Sequence, residues 1–149
     1  PVFGKLDTNV ALARFCNNFS SMLASGVPIL QALDIVGSTS GNYVIDSSSK
    51  RVGRLVERGY RLADSMSTEK IFPNMLVQMV SIGEDSGAID KMLSSAGRAY
   101  DEEAQSMAKQ LTSLLEPLMI LFLGVVVGFM VVALYMPMFS MFDAINGQA

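Results

Sequence analysis

Nineteen consecutive residues, Leu118–Met136 (LMILFLGVVVGFMVVALYM), carry no charge. The charge-free stretch widens to the 26 residues between Pro117 and Phe142. At about 1.5 Å per residue, 19 helical residues span roughly 28 Å, close to the ~30 Å hydrocarbon core of a bilayer. The run predicts a transmembrane helix near the C-terminal end of an otherwise polar chain. Whatever the chain does, it does at a membrane.

Charge is arranged around that span. All the basic residues and all but one of the acidic ones precede residue 117. The two signs nearly balance there, which excludes the basic face that nucleic acid requires and a polybasic arm for a lipid surface. Arg98 and Lys109 lie before the span, and only Asp143 follows it. The excess of basic residues on one side places residues 1–116 in the cytoplasm and the tail, residues 143–149, outside. The N-terminal PVFGKLDTN has no apolar run followed by a cleavage site, so it is no signal peptide. A chain opening on Pro1 reads as a piece or a processed product of a longer one.

The remainder has helical periodicity throughout. Leu12, Phe15, Cys16, Phe19, Met22 and Leu23 recur on one face of a first helix, with Asp7 or Thr8 as its cap and Gly26 at its end. Cys16, the single cysteine, reads as a small core residue within that stripe. Pro28 opens a second helix with Ile29, Leu30, Leu33 and Val36 apolar, and Ser38–Gly41 reads as a loop. A third helix, about 43–58, turns Val44, Val52, Leu55 and Val56 inward and stops at Gly59. Residues 62–66 suit a short helical turn. Pro73 opens a fifth helix with Met75, Leu76, Met79 and Val80 on one face, and Gly83–Gly87 (GEDSG) breaks the chain. From about Ala88 one helix runs on into the span. No period-2 strand pattern occurs. The fold expected is all-α: an antiparallel bundle of five to six helices over residues 1–116, the last continuing into a membrane helix with its outer interface over 117–142.

Enzyme chemistry finds little support. The chain has no histidine, no Gly-rich phosphate loop followed by Lys-Ser/Thr, and no serine in a GxSxG setting. No cofactor is expected. Glu84 and Asp85 suit either a turn beside a positive helix end or a contact for a partner or cation. Asp101, Glu102 and Glu103 form a solvated helix face or an acidic docking surface. Glu116-Pro117 stands where the helix meets the bilayer. Pro117 cannot donate to the Ser113 carbonyl, so a kink is expected there, either a plain hinge or an elbow coupling domain movement to the span. Gly124 and Gly128 give GVVVG, a small face that allows close helix approach in lipid. Met136, Met138 and Met141 offer pliable interfacial packing or thioethers for Cu(I).

Four stretches carry a resemblance: PVFGKL, ALARFCNNFSSMLASGVPILQAL, FPNMLVQMVSIGEDSGAIDKML and LLEPLMILFLGVVVGFMVVALYMPMF. Together, from Pro1 to about Phe142, they resemble the polytopic inner-membrane platform proteins of type IV pilus and type II secretion machines, the PilC/GspF family. That resemblance implies the second of two homologous cytoplasmic domains plus the last span. It implies a non-enzymatic protein of the bacterial inner membrane, contacting a hexameric assembly ATPase, pilin or pseudopilin transmembrane helices and other inner-membrane assembly proteins; the GVVVG face offers packing for homo-oligomers. Gly26, Pro28, Gly59, Gly83, Glu84, Gly87, Glu116, Pro117 and Pro137 match its recurrent pattern. The YMPMF ending resembles the pilus branch more than the secretion branch. A tail-anchored helical adaptor or sensor is the rival of another class.

Overall fold

The computed structural model describes residues 2–147, and these form six helices with no strand among them. They are α1 (Val2–Ala24), α2 (Ile29–Thr39), α3 (Tyr43–Glu57), α4 (Leu62–Ser67), α5 (Asn74–Ser86) and α6 (Ile89–Asn146). The all-α architecture expected from periodicity is what the chain adopts. It divides into two compact units, Pro1–Met107 and Ala108–Ala149.

The first unit is a bundle built on α1. Leu12, Phe15, Cys16 and Phe19 of its apolar stripe are all but inaccessible. Phe15 meets Phe19 edge-on at 5.6 Å between ring centroids and Phe72 at 5.4 Å. Burying one such side chain contributes about 1.5–3 kcal/mol. Leu33, Ile45, Leu76 and Leu93 close over these rings from α2, α3, α5 and α6.

Glycines turn the chain between helices. The Gly26 N–H bonds the Leu23 carbonyl and the Val27 N–H the Met22 carbonyl, each at 3.0 Å. This pair satisfies the last carbonyls of α1 and needs a left-handed residue, which Gly26 supplies at φ 83°. Gly59 makes the same pair with Val56 and, through Tyr60, with Leu55. Gly87, at φ 69°, ends α5 while the Ala88 N–H wraps back to the Gly83 carbonyl. Asn42 caps α3 by accepting the N–H groups of Val44 and Ile45.

Several local expectations need correction. Neither Asp7 nor Thr8 caps α1, which is already helical at Val2; the Thr8 hydroxyl bonds the Gly4 carbonyl one turn back instead. Ser38 and Thr39 extend α2, their hydroxyls returning to the Ile35 carbonyl. Gly83–Ser86 are helical, so GEDSG breaks only at Gly87. Val44, expected inward, is 49% exposed, and Leu30 and Met75, on the apolar faces of α2 and α5, are 39% and 46% exposed. A helix offers two flanks to its buried stripe, and these three stand on the flank the bundle leaves uncovered.

The second unit is the C-terminal part of α6. Its charge-free segment is long and apolar enough to cross a membrane, and none of it is buried within the protein. Phe122, Phe129 and Leu134 are 66%, 77% and 70% exposed. The helix continues through Pro117 and Pro137.

Candidate functional site

Two loops far apart in sequence meet at one corner of the bundle. Gly26 and Pro28 of the α1–α2 turn, with Gly87, Ile89 and Asp90 of the α5–α6 turn, line a shallow cavity of about 330 Å³. The Ser20 hydroxyl donates to the Asp90 carbonyl at 2.6 Å and ties α1 to the start of α6 beside it. Gly83 lets α5 and α6 close up: a Cβ there would stand 2.7 Å from Ile89 Cα. Gly26, Pro28, Gly83 and Gly87 thus act together as a tight two-turn corner.

Glu84 faces another way. Its carboxylate accepts the N–H of Leu62 at 2.7 Å and of Ala63 at 2.9 Å. Those are orphan donors of α4, which has no side-chain cap of its own. A carboxylate at the positive end of a helix is also electrostatically favoured. Arg61 brackets the pair, with Nε 3.8 Å from Glu84 and a terminal nitrogen 2.6 Å from Asp85. The acidic pair therefore locks α5 to α4, rather than attending the helix that follows it in sequence. Among the described residues no three His, Cys, Asp or Glu side chains converge as metal ligands.

The acidic run on α6 is partly engaged. Asp101 accepts from the Asn17 amide at 2.9 Å, and Glu103 lies 3.8 Å from Lys5 Nζ. Asn17 also covers Gly97, where any side chain would overlap it. A glycine inside a helix costs about 1 kcal/mol relative to alanine, so Gly97 carried a sequence signal for this crossing; its partner, 80 residues upstream, left none.

A second lock went unread in the sequence. Arg51 grips Glu69 in a two-pronged pair at 2.7 and 2.6 Å, and the Ser48 hydroxyl adds a third bond at 2.9 Å. The Arg51 guanidinium holds the Glu69 carboxyl below its usual range, with Ser48 assisting against partial burial. Burial pushes the Cys16 thiol up to about 12, so it stays protonated and unreactive. Tyr100 is also pushed up to about 12, chiefly by burial, then by Cys16 and Glu103.

In the second unit, Lys109, Thr112, Ser113 and Glu116 fall on one face at i, i+3, i+4 and i+7. Thr112 and Ser113 bond the carbonyls of Ala108 and Lys109, a habit that bends helices, one turn before Pro117. A polar stripe, back-bonded hydroxyls and a proline coincide where the apolar segment begins. Gly124 and Gly128 have nothing within 4 Å of a built Cβ. Met136, Met138 and Met141 are exposed.

The type II secretion system (T2SS) protein F family matches residues 15–137. The type IV pilus assembly protein PilC of Myxococcus xanthus is 40% identical over 146 residues, 98% of this chain and 35% of that protein. The PilC of Pseudomonas aeruginosa is 39% identical over 98% of this chain and 39% of its own length. The type II secretion system protein F of Pseudomonas aeruginosa is 30% identical over 95% of this chain and 35% of its own. The chain spans between a third and two fifths of the length of these relatives.

Proposed function

This chain belongs to the type II secretion system protein F family, and from that premise we propose that it serves a type IV pilus platform as a non-enzymatic coupling element. The bundle faces the cytoplasm and receives movement from a hexameric assembly ATPase. The Glu116-Pro117 junction passes it to the span, which helps pilin transmembrane helices enter the filament beside other inner-membrane assembly proteins. The tail is periplasmic, and copies of the chain associate. Relatives named for type IV pilus or type 4 fimbrial assembly reach 38–44% identity, against 30–32% for those named type II secretion system protein F, and this supports the pilus reading.

The observation carrying the coupling reading is the juxtaposition on α6 of the Lys109–Glu116 polar stripe, the back-bonded hydroxyls and Pro117. Glu116→Ala and Pro117→Ala, placed in the parent protein, are expected to impair pilus assembly while leaving the protein in the membrane. Normal piliation in both variants removes the elbow. Failure of the parent protein to co-purify with its ATPase in any nucleotide state removes the coupling. The equivalent role in type II secretion, with pseudopilins as cargo, is the second reading, supported by the 30% identity to that branch.

A further inference from the structure

Glycines inside helices divide this bundle into two kinds. At Gly37, Gly83 and Gly97 a Cβ would collide with Ser49, Ile89 or Asn17, so the bundle's own packing demands glycine. Gly53 is different. It sits in the interior of α3, where its nearest neighbour to a built Cβ is Leu33 Cδ2 at 3.8 Å, an ordinary contact. Alanine would fit there and favour the helix, so internal packing does not explain the glycine. What it does is floor an open groove of about 460 Å³ between α2 and α3.

The groove has the makings of a receptor. Leu30, 39% exposed, lines it together with buried Leu33. Ser49 lines it at 1% exposure, with a hydroxyl that has no hydrogen-bond partner among the described residues. Arg54 lies beside Gly53 without an ion-pair partner within 4 Å among the described residues, on a lining that also carries Asp34, Lys50 and Glu57.

The same chain carries a matching ridge. On α5, Met75, Met79 and Ile82 follow at i, i+4 and i+7; Met75 and Ile82 are 46% and 58% exposed, and no charge interrupts the helix before Glu84. Asp85 lies three residues past Ile82, on the same face, and is 69% exposed in its side chain. Its Oδ1 pairs with Arg61, which leaves Oδ2 for a second cation.

We propose that the Gly53 groove of one copy receives α5 of a second copy, with Ile82 seated over Gly53 and Asp85 against Arg54. The contact is heterologous, groove to ridge, so each copy can hold one neighbour and be held by another. It rests on the reading that copies of the chain associate, and gives that association a surface.

The test uses the full chain in membranes, with Gln31→Cys on the groove rim in one tagged copy and Gln78→Cys on the ridge in another. Native Cys16 is buried and silent. A short bis-maleimide should join the two differently tagged copies. Gly53→Leu should lower that yield at least tenfold. Arg54→Asp should lower it similarly, whereas Arg54→Lys, which keeps the charge, should hold it within twofold and so separates lost charge from misfolding. Copies that associate by native mass measurement yet fail to join, or join regardless of Gly53→Leu and Arg54→Asp, overturn this surface while leaving self-association standing. Monomers throughout overturn both.

Discussion

Phe15 in the bundle and Phe129 in the span are the same residue in opposite circumstances. Phe15 is wholly inaccessible and Phe129 is 77% exposed. The bundle hides its apolar side chains from water by folding around them. The 118–136 segment hides nothing and matches a bilayer in length. One unit carries its own apolar environment and the other requires one to be supplied. Glycine repeats the contrast: Gly83 and Gly97 are packed against by their own chain, whereas no part of this chain comes within 4 Å of a Cβ at Gly124 or Gly128.

The largest expected effect breaks that pairing directly. Phe15→Ala should destabilise the bundle by about 3–5 kcal/mol, whereas Phe129→Ala should leave its unfolding midpoint unchanged. Helical circular dichroism against denaturant in mild detergent measures both. Equal losses would mean that the span's apolar residues are packed as the bundle's are.

Next comes the α4–α5 lock. Glu84→Ala strips the cap from two α4 donors and should cost about 0.5–2 kcal/mol. Hydrogen exchange at Leu62 and Ala63 should rise more than exchange at Val80. Uniform change across the bundle would contradict a local cap.

The smallest effect is acid-dependent. Arg51 holds the folded Glu69 carboxyl below its unfolded value of about 4.3. Its contribution is therefore complete above that pH and is lost as pH falls through the lower, folded value. Glu69→Gln should lower stability near neutrality and flatten the decline below about pH 4. A variant profile parallel to that of the native chain would deny Glu69 this role.

Helical periodicity was enough to expect five to six helices where six form, because apolar stripes such as Leu12–Phe19 repeat strongly. Turn glycines were legible for a local reason: Gly26, Gly59 and Gly87 take left-handed backbone that other residues resist. Period alone could not say how wide each buried stripe is, so Val44 was turned inward, and Leu30 and Met75 of the apolar faces stand half-exposed. Glu84 was singled out, but its partners lie 22 and 21 residues upstream, and no local pattern names them. Ser48, Arg51 and Glu69 left no signal, since each resembles an ordinary surface residue until the α3–α4 turn brings them together.

The central claim is a membrane-crossing α6 with the bundle on the cytoplasmic side, and single-cysteine labelling in intact cells tests it. Ala144→Cys should react with an impermeant maleimide added outside once the outer membrane is opened. Arg98→Cys should react only after the inner membrane is breached, and Val126→Cys in neither state. Labelling of Arg98→Cys from outside, or of Val126→Cys under any condition that leaves the bilayer whole, would contradict the account.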